Sequence, residues 1–370
     1  MSDTLIIGGG VIGLSLAWQL ALRGKKVQVV DQGEPGRATS WAGAGILPPP
    51  GFPPEPTPYD ELCQLSAKLH PLWAKDLRES TGIDTGYREC GGIYLARRHG
   101  EAAALRASFD DLRAQRVAME EWTPQELAKA EPKLAPVSRP LVAAFHVPGE
   151  SQLRNPRHMQ ALLAACLAGG VKVTSNCTVT GFRSDGSKIA AAETSLGPIS
   201  ADQFCVTSGA WSPQVAARLG IPALPLVPIR GQILLFKAPH PLLKRIINEG
   251  PRYLVPRDDG RLLCGSTEED AGYEITTTEA ALRELRRFAL DLVPALAEAE
   301  VEKSWAGLRP CSLRGTPFLG MIPGWENAFV SAGHFRAGIT LSPGSAMVMA
   351  DLLCGAKPSL DLDYFGLARG

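Results

Sequence analysis

Leu5-Ile6-Ile7-Gly8-Gly9-Gly10-Val11-Ile12-Gly13 is an apolar run followed at once by the pattern G-x-G-x-x-G. Apolar residues at helical spacing come next, and a second apolar run, Val27–Val30, ends in Asp31. Strand, glycine turn, helix, strand and acid together form the dinucleotide-binding fingerprint. A glycine-rich turn in an ordinary parallel sheet is the alternative interpretation. We predict an α/β fold that opens with a Rossmann-like unit and binds FAD or NAD, between which the fingerprint does not choose.

The glycines of this turn and the acid after it have separate predicted roles. Gly8 permits the tight turn, Gly10 lets the backbone approach a pyrophosphate, and Gly13 lets the helix pack against the strand. The helix N-terminus then offers N–H groups and a partial positive charge to the phosphates. Asp31 is placed to accept a hydrogen bond from a ribose hydroxyl.

Length and charge narrow the class of protein. A chain of 370 residues is long for one core, which favours two domains. Lys plus Arg and Asp plus Glu both number 38, so the net charge is zero. Because no basic stripe stands out, a nucleic-acid partner is not expected.

The cysteines and the apolar runs point to a cellular compartment. The eight cysteines are scattered, none forms C-x-x-C, and few histidines lie near them, so no metal site is expected. They are interpreted as buried thiols in a reducing compartment. The N-terminus has no signal-peptide pattern, and no apolar run reaches the length of a bilayer. We therefore expect a cytoplasmic enzyme without a membrane partner.

Two segments that follow the fingerprint have unusual compositions. Small residues dominate Ala38-Thr39-Ser40-Trp41-Ala42-Gly43-Ala44-Gly45-Ile46, hereafter the small-residue segment, which can lie flat against a bulky ligand. Residues 48–58 are dense in proline and predict a stiff loop, which leaves open whether it covers a ligand.

Two segments near the end of the chain each contain an arginine. They are Trp305-Ala306-Gly307-Leu308-Arg309-Pro310 and Gly333-His334-Phe335-Arg336-Ala337-Gly338-Ile339-Thr340-Leu341-Ser342-Pro343. An apolar helix is predicted over 344–353, starting at Ser342-Pro343. No Ser-His-Asp order, HExxH motif or P-loop is present, so the chemistry is expected to belong to the cofactor. An arginine is a natural partner for a substrate carboxylate.

With these segments in place, the chain resembles the D-amino-acid oxidase and glycine–sarcosine oxidase superfamily, and within it the glycine oxidases of the thiamine pathway. The matching segments follow the family order across nearly the whole chain: 8–13, 39–46, Gly209-Ala210-Trp211-Ser212, Tyr253-Leu254-Val255-Pro256-Arg257, 305–310 and 333–343. The resemblance implies that FAD, and not NAD, fills the dinucleotide site.

The resemblance also implies roles for single residues. Arg309 pairs with the substrate carboxylate, Tyr253 hydrogen-bonds to it, and Arg336 lies near the substrate or the flavin. No protein side chain is implied as catalytic. The helix expected near Pro343 directs its N-terminus at the pyrimidine side of the flavin, where its dipole stabilises the anionic reduced form. The implied cofactor-binding residues are Gly8, Gly10, Val11, Ile12, Gly13, Asp31, Gln32, Ala38, Thr39, Ala44, Gly45, Ile46, Val179, Gly209, His334, Phe335, Arg336, Ala337, Gly338, Ile339 and Thr340.

Two details of the sequence qualify this comparison. Asp31 stands where relatives mostly carry the longer glutamate. Cys311 follows Arg309 too closely to match the cysteine that holds flavin covalently in relatives acting on N-methyl amino acids. The resemblance therefore implies non-covalent FAD.

The resemblance implies a discontinuous domain organisation. An FAD-binding domain comprises residues 1–85, 146–225 and 301–370. An inserted antiparallel-sheet domain for the substrate comprises 86–145 and 226–300.

The implied reaction is oxidative deamination of a small amino acid by molecular oxygen. Glycine would give glyoxylate, ammonia and hydrogen peroxide, and the intermediate iminoacetate would supply thiazole synthesis for thiamine. Oxidation of sarcosine, proline or a D-amino acid, and a quinone-linked dehydrogenase, are the alternatives within the superfamily. A flavin-dependent module without oxidase activity is the alternative from another class. Relatives often form homo-oligomers, and the sequence leaves the oligomeric state open.

Overall fold

A computed structural model describes residues 2–134, 141–221 and 224–367. Its β-strands are β1 (Ser2–Ile7), β2 (Val27–Val30), β3 (Ile46–Leu47), β4 (Arg88–Glu89), β5 (Gly92–Ala96), β6 (Glu120–Glu121), β7 (Ala143–Val147), β8 (Ser151–Gln152), β9 (Lys172–Thr174), β10 (Val179–Asp185), β11 (Lys188–Thr194), β12 (Ala201–Val206), β13 (Leu226–Lys237), β14 (Ile246–Glu249), β15 (Arg252–Pro256), β16 (Arg261–Gly265), β17 (Glu300–Ser312), β18 (Phe318–Met321) and β19 (Ala328–Ala332).

The α-helices lie between these strands, with short 3₁₀ turns such as Gly209–Trp211 and Phe335–Ala337. They are α1 (Val11–Leu22), α2 (Thr39–Ala42), α3 (Pro58–Thr81), α4 (His99–Ala114), α5 (Pro124–Ala130), α6 (Asn155–Ala168), α7 (Ser212–Ala217), α8 (Glu279–Leu292) and α9 (Gly338–Leu353).

The longest of these helices, α3, has clear start and stop signals. Thr57 and Asp60 form a reciprocal capping box, and Pro58 occupies the first turn. Gly82 ends the helix in the left-handed conformation, with φ of 72°. The sequence over 59–81 predicts a helix, and α3 covers this whole range.

The first sheet is the predicted parallel sheet. Within the described residues its strand order is β18-β19-β12-β1-β2-β9, parallel throughout except for the antiparallel pair β18–β19. Helices α1, α3, α6 and α9 pack on one face. The β10–β11 hairpin and α7 cover the other face. This layering is the α/β arrangement expected from the opening βαβ unit.

The close approach of α1 to β1 depends on glycine at position 13. A Cβ atom there would lie 1.9 Å from the Gly8 carbonyl oxygen. Gly8 itself has φ of 119°, and a Cβ atom there would meet the Thr207 carbonyl oxygen at 2.6 Å. The first helix can therefore start directly at the end of the first strand.

The second sheet is mainly antiparallel, as predicted. Its order over the described residues is β17-β13-β16-β15-β14-β5-β7-β6, and only β14–β5 is parallel. Helices α5 and α8 cover one face, with α4 at the β5–β7 end. The opposite face meets the small-residue segment, because Trp305, Tyr253 and Ile233 pack with Ala44 and Ile46.

The strand pairing bears on the predicted domain boundaries, which remain predictions. Residues 301–312 were expected in the FAD-binding domain, yet β17 is an edge strand of the second sheet and pairs with β13 over its whole length. The expected boundary at 146 falls inside β7 of the same sheet.

Two helix starts differ from the sequence prediction. The pair Asn155-Pro156 predicts an N-cap at Asn155, but Asn155 is the first helical residue of α6 and Arg154 precedes it. The Asn155 side chain instead donates to the Ser40 carbonyl at 2.7 Å, which ties α6 to the small-residue segment. The predicted C-terminal helix over 344–353 begins earlier, at Gly338, so Pro343 lies inside α9.

Side chains compensate for the proline inside α9. Pro343 has no N–H to donate to the Ile339 carbonyl, and the Ser342 hydroxyl donates to that carbonyl at 2.9 Å. From α3, His70 Nε2 donates to the Thr340 carbonyl at 2.9 Å. The helix continues through the proline because α3 binds its first turns.

No helix in the described part of the chain has both the length and the apolar character needed to cross a membrane.

Candidate functional site

One continuous cavity of about 800 Å³ lies where the two sheets meet. At one end it is lined by Gly8 and Gly10 of the first turn, and at the other by Tyr253 and Arg309 of the second sheet. The first turn of α9 forms part of the wall between them. The fold thus brings segments from both ends of the sequence to a single site.

The Asp31 carboxylate organises the end formed by the fingerprint. Its Oδ2 accepts a hydrogen bond from the Gly9 N–H at 2.7 Å, and its Oδ1 accepts one from the Gly33 N–H at 2.8 Å. Asp31 also lines the cavity. The aspartate therefore fixes the two backbone turns on either side of the expected ribose position.

The Ser40 hydroxyl joins the fingerprint to the small-residue segment. It accepts a hydrogen bond from the Val11 N–H, the first of α1, at 2.9 Å. No role was predicted for Ser40, because the sequence around a serine does not indicate which N–H group its hydroxyl will accept from.

All of the predicted cofactor-binding residues except Gly13 line the cavity. Gly13 lies behind the turn, against the Gly8 carbonyl, and not in the lining. The predicted residues that line the cavity are Gly8, Gly10, Val11, Ile12, Asp31, Gln32, Ala38, Thr39, Ala44, Gly45, Ile46, Val179, Gly209, His334, Phe335, Arg336, Ala337, Gly338, Ile339 and Thr340.

Val179 was expected to present backbone groups to an adenine ring. Its carbonyl already accepts a hydrogen bond of 2.5 Å from Arg218 Nη1, and its backbone pairs with Thr194 across the hairpin. Arg218 also lines the cavity and was missed by the sequence analysis. Its position in the turn after α7 gave no motif that could have identified it.

The first turn of α9 lines the cavity, although the helix starts earlier than predicted. Gly338, Ile339 and Thr340 form the first turn and line the cavity. The positive end of the helix dipole is therefore at the cavity wall. Phe335, just before the helix, adopts φ of 49°, an uncommon conformation for a residue with a side chain.

His334 lies in the same wall and is buried. Its Nε2 is 3.0 Å from the Ser345 hydroxyl, and burial lowers the pKa of the imidazole to about 3. The ring is therefore neutral at physiological pH. With so low a pKa, the imidazole is a weak base.

Arg309 projects from β17 across β13 into the cavity. Its Nη2 donates to the Ser266 hydroxyl at 2.7 Å and its Nη1 donates to the Thr267 carbonyl at 3.2 Å. The guanidinium lies directly over Gly231, where a Cβ atom would be 2.3 Å from Nη2. Burial lowers the pKa of Arg309 from its usual value, but the group remains a cation held in place by neutral acceptors.

Tyr253 lies beside Arg309 on β15. A Cβ atom on Gly265, its partner on β16, would be 2.6 Å from the Tyr253 hydroxyl, so the ring packs flat over that glycine. Burial raises the pKa of the phenol, and the hydroxyl stays protonated at neutral pH. It is available as a hydrogen-bond donor next to the Arg309 cation.

Arg336 lies nearer the solvent and is paired. Its guanidinium forms an ion pair with the Glu268 carboxylate, and both side chains are partly exposed. Arg309 and Arg336 therefore differ in their acceptors, since Arg309 contacts a hydroxyl and a carbonyl while Arg336 contacts a carboxylate.

Two hydrogen bonds join the segment 305–310, which contains Arg309, to the small-residue segment. Trp305 Nε1 donates to the Ala42 carbonyl at 2.9 Å, and the Thr39 hydroxyl donates to the Leu308 carbonyl at 2.7 Å. A Cβ atom on Gly307 would be 2.8 Å from the Ala42 Cβ. Small residues on both sides thus allow β17 and α2 to pack closely.

The described part of the chain contains no group of three or more His, Cys, Asp or Glu side chains suited to a metal ion.

Residues 3–352 match the family described as FAD dependent oxidoreductase. The chain belongs to this family. It is therefore an oxidoreductase, and its cofactor is FAD.

Members and relatives of the family are similar over the full length of the chain. A glycine oxidase of Pseudomonas putida is 38% identical over 361 residues, covering 97% of this chain and 96% of that protein. The crystal structure of glycine oxidase from Geobacillus kaustophilus has a TM-score of 0.94 at 34% identity, covering 100% of this chain and 99% of that one. A bifunctional ThiO/ThiG protein of Synechocystis is 31% identical over 378 residues, covering all of this chain and 54% of that longer protein.

The residues of the cavity fit the family cofactor. Glycines 8 and 10 leave the backbone accessible where the fingerprint expects a pyrophosphate, and Gly45 has φ of 74° in the small-residue segment. A side chain at Gly45 would meet the Leu153 carbonyl at 2.1 Å. Asp31, the first turn of α9 and the small-residue segment would hold FAD.

Proposed function

We propose that this protein oxidises a small amino acid, most favourably glycine, to the imino acid, with release of glyoxylate, ammonia and hydrogen peroxide. The observation that carries this proposal is the position of Arg309, a buried guanidinium in the same cavity as the dinucleotide turn. The similarity to relatives named glycine oxidase supports it over nearly the whole chain.

The proposed substrate contacts follow from the geometry around Arg309. Its two terminal nitrogens can bind both oxygens of a carboxylate, exchanging one of the present neutral acceptors for a charge-assisted pair. The Tyr253 hydroxyl donates to the same carboxylate. These contacts fix the carboxylate end and orient the α-carbon and amine toward the rest of the cavity.

FAD supplies the redox chemistry, since it takes two electrons from the amine and passes them to molecular oxygen. The protein has to hold the amine, exclude water and provide positive potential where negative charge develops. The first turn of α9 fits the last requirement, because the helix dipole favours an anion at its N-terminus.

Non-covalent FAD is part of this proposal. Cys311 is paired through its backbone with His334, and its side chain is outside the cavity lining found in the described residues. Burial raises the pKa of its thiol, which disfavours the reactive thiolate. Acid precipitation should therefore leave the yellow cofactor in the supernatant, whereas yellow precipitate would contradict this part of the proposal.

A role in thiamine synthesis is the finer proposal. It is supported by the similarity to the ThiO/ThiG protein, of which this chain covers 54%. The imine formed from glycine would then supply thiazole formation. The cytoplasmic location expected from the sequence remains a prediction, and the sequence leaves the oligomeric state open.

Anaerobic titration tests the substrate directly. Purified holoenzyme is mixed with glycine, sarcosine or D-alanine, and the flavin absorbance is recorded. We expect glycine to bleach the flavin at the lowest concentration, and admission of air to restore the colour with one peroxide per turnover. If another amine bleaches the flavin at a lower concentration, that amine replaces glycine as the proposed substrate. Reduction of a quinone dye without formation of peroxide would indicate a dehydrogenase. A flavin that none of these amines bleaches would indicate a module without oxidase activity.

Arg309→Ala tests the proposed carboxylate partner. We expect kcat/KM for glycine to fall by about 100-fold or more, near 2.7 kcal/mol of transition-state stabilisation. Arg183→Ala is the matched control, because Arg183 pairs with Glu193 on the surface hairpin away from the cavity. A loss within about threefold, near 0.7 kcal/mol, would show that Arg309 is not the carboxylate anchor.

A further inference from the structure

One short segment, Ser266-Thr267-Glu268, contacts both arginines of the site. The Ser266 hydroxyl and the Thr267 carbonyl accept from Arg309, and the Glu268 carboxylate accepts from Arg336. In this segment Arg309 therefore has only neutral hydrogen-bond acceptors, whereas Arg336 has a carboxylate.

The two arginines and Glu268 together carry a single positive charge, and Arg252, which also lines the cavity, is paired with Glu284. Arg309 and Arg336 each contribute one positive charge, and Glu268 contributes one negative charge. The three groups interact over short range, because Arg336 lowers and Glu268 raises the pKa of Arg309. An amino acid with one carboxylate would leave this group neutral, whereas a substrate with two anionic groups would bring an uncompensated negative charge.

We propose that Glu268 restricts the site to amines carrying one anionic group, by occupying the Arg336 guanidinium that would otherwise bind a second. This inference rests on the proposed function, in which Arg309 binds the substrate carboxylate. Glu268 is thereby a specificity-determining residue, and its selection acts against dianionic amines such as iminodiacetate.

The exposure of the pair allows this exchange. The Arg336 side chain is 46% exposed and the Glu268 side chain 43% exposed, while Arg336 also lines the cavity. A partly exposed ion pair contributes little to folding stability, so loss of the Glu268 charge should leave the fold intact. The freed guanidinium would remain at the cavity, able to bind a carboxylate.

The test compares binding of a monoanion and a dianion to the holoenzyme. Acetate and malonate are titrated at pH 7.5 into wild type and Glu268→Gln, and dissociation constants are taken from the perturbed flavin spectrum. We expect the Kd ratio of malonate to acetate to fall about tenfold in Glu268→Gln. Asp270→Asn is the control, because it removes the same charge from an exposed position two residues along the chain.

A second arm assigns the effect to Arg336. Adding Arg336→Met to Glu268→Gln should return the malonate preference to the wild-type ratio. An unchanged ratio in Glu268→Gln, or an equal change in Asp270→Asn, would overturn the inference.

Turnover provides a separate readout. The kcat/KM of iminodiacetate relative to glycine should rise about tenfold in Glu268→Gln, and an unchanged ratio would overturn the inference. If the wild type oxidises neither amine while the malonate ratio still changes as expected, the proposed glycine substrate fails and the charge selection by Glu268 stands.

Discussion

Arg257 donates a hydrogen bond of 2.8 Å from Nη2 to the Ala44 carbonyl, and so joins the strand of Tyr253 to the small-residue segment. Its Nη1 donates to the Gln152 side chain at 2.6 Å and to the Leu153 carbonyl at 3.0 Å. The side chain is only 7% exposed. Burial lowers its pKa to about 9, which still leaves it charged at pH 7.

Arg257→Gln should loosen the small-residue segment. It leaves buried acceptors unpaired, and we expect the free energy of unfolding to fall by about 3 kcal/mol and FAD to dissociate more readily. Urea unfolding and fluorescence of released flavin measure the two effects. Arg261→Gln is the control, because Arg261 pairs with Asp259 and Glu302 at the surface and should cost less than about 1 kcal/mol. Equal losses in both variants would argue against a joining role for Arg257.

Gly231→Ala should disable substrate binding without unfolding the protein. The new Cβ would be 2.3 Å from Arg309 Nη2, and the flexible arginine would move away at little structural cost. We expect kcat/KM for the substrate to fall at least 30-fold, about 2 kcal/mol, while the free energy of unfolding changes by less than about 1 kcal/mol. Gly100→Ala, where nothing lies within 4 Å, should leave both unchanged or slightly improve stability. Normal kinetics in Gly231→Ala would show that the Arg309 position does not limit catalysis.

The glycine turn follows from a local signal in the sequence, because Gly8 and Gly10 occupy the turn that the fingerprint predicts. Arg309 and Tyr253, whose roles the family resemblance implies, lie in the same cavity, and those roles remain predictions. The α9 start was misplaced, because Ser342-Pro343 has the local chemistry of a helix start. The helix begins at Gly338, and its Thr340 carbonyl accepts a hydrogen bond from His70 of α3, a partner 270 residues away in the chain. Such long-range hydrogen bonds leave no local pattern.

The residues for which the sequence predicted no role also depend on contacts between distant parts of the chain. Gly231, Arg218 and Arg257 act on groups that only the folded chain brings near, namely Arg309, the Val179 carbonyl and the Ala44 carbonyl. Glycine in a strand or arginine after a helix is common, so composition alone could not mark them. Arg257 was quoted within the family segment but given no role there.

Asp31→Asn should weaken FAD binding more than it weakens the fold. The amide keeps the shape of the side chain but loses the charge that accepts from the Gly9 and Gly33 N–H groups. We expect the Kd for FAD to rise about tenfold, near 1.4 kcal/mol, in titrations of the apoprotein. Asp3→Asn is the control, since Asp3 accepts from the Lys26 N–H at the exposed end of β1. A similar rise in the control would remove the special role of Asp31.

His158 should make the protein less stable in mild acid. It is 2% exposed, burial lowers its pKa to about 3, and neither ring nitrogen has a hydrogen-bond partner in the described residues. In the unfolded chain a histidine takes a proton near pH 6.5, so between pH 6.5 and 3 the unfolded state binds the extra proton. This stabilisation is complete above pH 6.5 and is lost as the pH falls, by about 1.4 kcal/mol per pH unit.

His158→Gln should therefore reduce the pH dependence of the free energy of unfolding by about 1.4 kcal/mol per pH unit between pH 6.5 and 3. Urea unfolding with excess FAD at pH 7.5, 6 and 4.5 measures it. His240→Gln, at an exposed position, should follow the wild type. If His158→Gln retains the wild-type slope below pH 6, another group causes the acid sensitivity.

The span of the cavity along the chain has a consequence for biosynthesis. Its wall includes Gly8 from the turn after β1 and Leu341 from α9, which packs against α1 and α3. An elongating chain can form the opening βαβ unit before the residues of α9 exist to complete that wall. We therefore expect tight FAD binding only after α9 has been synthesised and has packed, so that bound FAD would report the joint folding of segments far apart in the chain.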